Sequence, residues 1–226
     1  MKRCLPLLVL LAAGAAAALE PSMGFGGAPL AGAAFFDCGG LSDELSAMGL
    51  PTPRAGFDFG GTFRFTFGPG VQLGYFGQGG GFRVGDVFPD DVVKDCDVSY
   101  GMHHAVAGYK FYLLDGRVGV FAGGGAGLFG VTYVKTVSTS PYRYGNIPLP
   151  GPSTFTAELD GGAFSWQLFV APEYRLLRWF ALGVEVGYMA AAIPEGEMTQ
   201  VGVPIPAAPG IDLSGPFFRA GPMFNF

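Results

Sequence analysis

Phenylalanine at every second residue is the feature that most limits what this chain can become. Phe57, Phe59, Phe63 and Phe65 share one parity, while Asp58, Thr62 and Arg64 occupy the other. A period of two puts successive side chains on opposite faces, as a strand does and a helix does not. The pattern returns in 162–175, where Phe164, Trp166, Leu168, Val170 and Tyr174 oppose Ser165, Gln167, Glu173 and Arg175. It returns in 178–191, where Phe180, Leu182, Val184, Val186 and Tyr188 oppose Ala181, Gly183, Glu185 and Gly187. Extended segments are predicted at 22–36, 55–67, 71–84, 100–114, 117–135, 162–175, 178–191 and 215–226.

The connections between these segments alternate in length. Those at 68–70, 115–116 and 176–178 are short, and those at 37–54, 85–99, 136–161 and 192–214 are long. Short turns at one end and long loops at the other are the plan of a transmembrane barrel. The first long loop holds "LSDELSAMGL", which predicts a short helix with Ser42 as N-cap, Asp43 and Glu44 in its first turn and Gly49 as its stop. The later loops are rich in Pro, Gly, Ser and Asn and read as irregular surface segments.

Composition narrows the class further. Half of the chain is hydrophobic and only 14% is charged, against about 25% charged in an ordinary soluble domain. "MKR" followed by "LPLLVLLAAGAAA" and an A-x-A end at Ala16 and Ala18 reads as a signal peptide over 1–18, leaving 19–226 as the mature domain. Cys4 precedes the apolar run, whereas a lipoprotein cysteine would follow it. Elsewhere no run approaches the roughly 18 apolar residues of a spanning helix. For an exported, apolar chain the remaining way across a bilayer is a closed β-barrel, which pairs every backbone group internally. The formal net charge of −5 becomes more acidic once Lys2 and Arg3 are removed, which argues against nucleic acid as a partner.

Period alone does not say which face looks inward. A soluble lipocalin-like barrel has apolar residues inside, and a membrane barrel has them outside. The smaller face carries Gly, Ala and one or two charges per strand, which suits the narrow interior of an eight-stranded barrel. The expected fold is therefore all-β: an eight-stranded antiparallel up-and-down transmembrane β-barrel with a short helix in the first long loop.

The final stretch, "FFRAGPMFNF", resembles the C-terminal strand of bacterial outer-membrane β-barrel proteins, and the mature chain is similar in plan to the small OmpA/OmpX-like type. The resemblance implies an outer-membrane location and contact with outer-membrane lipid. It also implies that Phe218, Phe224 and Phe226 form an assembly signal read by the barrel-assembly machinery. Pro222 departs from that strand pattern, because proline removes a ladder donor.

Several residue groups are candidates for function. Asp58, Arg64, Lys110, Glu173, Glu185 and Arg219 are expected to point into the lumen, as a plug of ion pairs or as the lining of a narrow pore. Cys38 and Cys96, both placed in long loops at one end, are a disulfide candidate in an exported protein. The acidic stretch "DVFPDDVVKDCD" lacks the register of a calcium loop and reads as a solvated face. CxxC spacing is absent, so no zinc site is expected.

His103 and His104 lie close to Ser99, which raises a lipid-modifying barrel enzyme, yet neither H-x-S nor GxSxG occurs. Tyr75, Tyr109, Tyr112, Tyr133, Trp166, Trp179 and Tyr188 are candidates for interfacial girdles. The expectation is a monomeric outer-membrane barrel with a structural or surface-interaction role, without cofactor or catalytic site. The alternatives are a soluble periplasmic or secreted barrel binding a lipid-like ligand, a narrow pore, and the lipid-modifying enzyme.

Overall fold

The computed structural model describes residues 23–88, 92–139, 143–144, 147–148 and 154–226; the expected signal peptide lies outside these. Eight long strands carry the fold: β1 Gly24–Phe35, β2 Ala55–Phe67, β3 Val71–Phe88, β4 Val92–Leu113, β5 Val118–Thr139, β6 Thr154–Arg175, β7 Phe180–Ile193 and β8 Gly215–Asn225. Each pairs antiparallel with the next, and β8 returns to β1. The sheet is thus closed where all eight strands pair, and above that ring β3 beyond Gly81 and β6 before Ser165 pair on one side only, apart from Asp160 with Thr199. Among the described residues no helix is long and apolar enough to cross a membrane.

Three expectations need correction. The segment 85–99 is not a long loop, because β3 runs to Phe88 and β4 starts at Val92. Alternation persists beneath the acidic residues: Cys96 and Val98 are buried, while Asp97 and Ser99 face solvent. Asp and Pro content masked that period. The segment 136–161 is likewise shortened by β5 and β6, although 140–142, 145–146 and 149–153 lie outside the described residues, as do Asp90 and Asp91. The helix, α1, spans Gly40–Met48, so Ser42 is inside it and Gly39 is the N-cap. The Ser42 hydroxyl instead donates to the Asp37 carbonyl at 2.8 Å. Gly49 does end α1, in the left-handed conformation at φ 78°.

The faces of the strands exchange roles along the barrel axis. Toward the short turns, Phe63, Phe65, Leu168, Val170, Leu182 and Val186 are exposed outside, while Arg64, Lys110, Glu173 and Arg219 are buried inside. Toward the long loops, the outside carries Arg83, Asp97, Ser99 and Asp160, and the inside carries Cys96, Val98, Tyr133, Leu159 and Ile193. Leu41 and Leu45 of α1 close this second interior from above, together with Ile211 and Leu213. One half has the inverted surface of a membrane barrel. In the other, the upper ends of β3–β6 cover an apolar interior and mix Arg83, Asp97, Ser99 and Asp160 with exposed Val87 and Val93 outside.

The seam between β1 and β8 is the least regular ladder. Its pairs run Gly26↔Asn225 and Gly27↔Phe224, then resume at Ala31↔Ala220. Pro29 and Pro222 fall opposite one another in the gap, and neither has an N–H to donate. The ring is secured below by Phe25 and Phe226, whose backbones exchange two hydrogen bonds of 2.9 and 2.7 Å.

Candidate functional site

The lumen of the turn-side half holds all six charged residues predicted for it, as three acids and three bases. Arg219 Nε donates to Asp58 Oδ2 at 2.6 Å, and its Nη1 lies 3.6 Å from Glu185 Oε2. Arg64 crosses the lumen to donate to Glu185 Oε1, and its Nε donates to Thr62 Oγ1 at 3.0 Å. Lys110 Nζ meets Glu173 Oε1 at 2.5 Å. Gln78 and Gln167 complete the layer, donating to Asp58 at 3.2 Å and accepting from Arg219 at 3.3 Å. Charges withdrawn from water survive only when paired and hydrogen-bonded. Here acids and bases balance, so the layer is neutral as a unit.

Glycine makes the pairs possible. Gly32 of β1 lies between Asp58 of β2 and Arg219 of β8, in register with both. Its missing side chain lets β8 approach closely, since a Cβ there would strike the Phe218 carbonyl oxygen and stand 2.7 Å from Arg219 Cα. Gly119 of β5 repeats the device between Lys110 and Glu173. A Cβ on it would lie 2.8 Å from both Lys110 Cε and Glu173 Oε1. Aromatic rings hold the cations from the sides: Arg219 lies 3.8 Å over Phe217 and Arg64 lies 4.3 Å over Phe121.

The two histidines separate by parity. His103 faces outward and hydrogen-bonds the Tyr75 hydroxyl on the outer wall. His104 faces inward and shares a 2.6 Å hydrogen bond with Ser165 Oγ. Sequence reasoning missed this Ser–His pair, because its members are 61 residues apart and only the face of Ser165 was readable. Ser99, the partner considered from sequence, stands four residues above His103 on the outside of β4. A hydrolytic Ser–His pair needs a substrate beside it and donors for an oxyanion. His104 and Ser165 are 0% and 1% exposed, so the pair packs the lumen.

The Cys38–Cys96 disulfide expected from the sequence is not formed. Both residues are free, buried thiols. Cys96 sits on β4 rather than in a loop, and Cys38 Sγ donates to the Pro53 carbonyl at 3.4 Å. Burial is the main cause that pushes each thiol up to about 12, which suppresses the thiolate that disulfide exchange requires. Among the described residues no group of three His, Cys, Asp or Glu converges as a metal site.

The girdle candidates divide as well. Trp166 and Tyr188 are half exposed and pack at 6.3 Å on the outer wall. Trp179 stacks on Phe224, and Phe25 on Phe226, at the turn-side rim. Tyr133 does not belong to a girdle: it is buried under α1, because odd positions of β5 face inward. Phe218, Phe224 and Phe226 share the outward face of β8.

A closed ring with its charges inside and its apolar belt outside defines a small eight-stranded antiparallel β-barrel of transmembrane design. Among solved structures, the chain is similar to Ail of Yersinia pestis, at 12% identity and a TM-score of 0.41 over 92% of this chain and 100% of that one. It is similar to OprG from Pseudomonas aeruginosa, at 11% identity and 0.47 over 92% and 97%. CarO2 of Acinetobacter baumannii gives 12% and 0.41 over 92% and 100%. No protein-family model and no curated protein matches the chain.

Proposed function

We propose that residues 19–226 form a monomeric barrel anchored in the bacterial outer membrane, with a structural or surface-interaction role carried by the loop-side half. The observation that carries this reading is the exchange of faces along the axis. Lipid contacts suit the turn-side wall, and the loop-side half is built to stand in water beyond the bilayer. Phe218, Phe224 and Phe226 serve in this reading as the strand offered to the barrel-assembly machinery. The balanced charge layer, with an apolar tier above it, supports a plugged lumen rather than a pore.

An epitope inserted between Val201 and Gly202, a loop-side turn where Val201 is 95% exposed, tests the orientation. Antibody binding to intact cells is expected; binding only after lysis overturns it. A washed outer-membrane fraction should contain a band whose mobility changes on boiling, whereas a band found only in the soluble fraction would exclude the membrane reading. Replacing Arg64 with Ala is expected to leave planar-bilayer conductance at background, and open-channel steps in the unaltered protein would restore the pore.

A further inference from the structure

The turn-side end of the barrel contains a feature that neither anchoring nor surface display uses. A cavity of about 240 Å³ opens there, walled by Thr66, Tyr112, Arg175, Arg178, Asn225 and Phe226. Thr66 and Asn225 also line a smaller chamber of about 30 Å³ that reaches up to Arg64, Lys110 and Glu173. The inner chamber has room for little more than water, so a ligand of any size stops at the mouth.

Among the described residues, Arg175 Nε and Asn225 Nδ2 on that wall are buried atoms with no hydrogen bond, although buried donors are nearly always satisfied. Arg178 stands beside them, and Arg117, whose carbonyl accepts the Arg175 N–H at 2.8 Å, lies on the same rim. Asp115 in the adjoining turn is an opposing charge among the described residues. The far end of the molecule instead carries Asp86, Asp95, Asp97, Glu158 and Asp160. A guanidinium presents a fork of N–H groups that matches phosphate oxygens better than a single point charge would. The stacked pairs Trp179–Phe224 and Phe25–Phe226 ring the same mouth, and such aromatic rims lie at the level of lipid headgroups.

We propose that the turn-side mouth is a phosphate-binding site, formed by Arg175, Arg178 and Asn225, that accepts either the phosphodiester of a lipid in the adjoining leaflet or free phosphate. The site is distinct from the plugged lumen above it and does not depend on the surface role of the loops.

The test compares the unaltered chain with an R175Q/R178Q variant in neutral detergent, each checked for the heat-dependent mobility of a folded barrel. Inorganic phosphate is titrated calorimetrically. In parallel, phosphorus per barrel is measured after extraction from phosphatidylglycerol vesicles. Removal of two charge-assisted donors should weaken binding or retention by roughly tenfold. Saturable binding of inorganic phosphate that the variant loses supports the site with a soluble source. Retained phosphatidylglycerol that the variant loses, without phosphate binding, supports it with a lipid source. Folded variant and unaltered chain behaving alike in both assays would overturn the proposal.

Discussion

The turn-side ring is built from all eight strands and the loop-side extension above it chiefly from β3–β6, yet the two are inside-out relative to each other. Below, Arg219 is fully buried and Phe218 beside it is exposed; above, Val98 is fully buried while Asp97 and Ser99 beside it are exposed. The backbone does nothing different in the two halves. In the proposed membrane setting what changes is the surrounding medium, since hydrocarbon accepts the phenylalanines that water would drive inside. The polar outer positions begin loopward of the exposed Leu128 and Phe164, at Ser99, Thr132 and Asp160.

The comparison can be broken most forcefully from inside the lower half. Arg219→Ala leaves Asp58 unpaired and takes one cation from Glu185, and removing one partner of a buried ion pair costs about 3–5 kcal/mol. Urea unfolding in lipid vesicles should register that loss. Changing Arg219, Asp58 and Glu185 together to apolar residues of similar volume should recover most of it.

The outer wall comes next. Leu168→Arg places a charge in the hydrocarbon, for about 2–4 kcal/mol near the midplane, whereas Ser99→Arg on the upper outer face should stay within about 0.5 kcal/mol. Equal costs would mean that both positions meet the same medium. The upper core answers as a soluble protein does: Ile193→Val should cost about 0.5–1.5 kcal/mol in the same assay.

The smallest effect depends on pH. The folded-state values of Cys38 and Cys96 are raised from 9.0 to about 12. A raised value favours the protonated thiol in the fold, so its stabilisation is complete below pH 9 and is lost as pH climbs toward 12. At pH 8 maleimide should label both thiols only after unfolding. Rapid labelling of the folded barrel would show that the cap under α1 opens.

Much of the membrane half was legible because its alternation is strong. Phe57 to Phe65 fixed a strand, and the parity of Asp58, Arg64 and Glu185 placed them inside. Their partners were not legible, because Arg64 and Glu185 are 121 residues apart and only ring closure brings β2 across from β7. The upper extensions were missed for a related reason. Asp and Pro around 85–99 resemble a loop when the polar parity is read as solvent-exposed on both sides, whereas Cys96 and Val98 carry the buried parity. The mouth site was hidden because Arg175 belongs to a strand end and Arg178 to a turn, and each alone is an ordinary rim charge.

The facing prolines of the seam have a consequence for motion. Within the ring where all eight strands pair no edge is free, so that part can come apart only by parting one ladder. Pro29 and Pro222 leave β1 and β8 with fewer rungs to break than any of the other long neighbours face. That seam is the zipper of the barrel: amide protons beside it, at Leu30 and Gly221, should exchange with deuterium earlier than those of the β4–β5 ladder, and the last closure during assembly should be the first reversal under load.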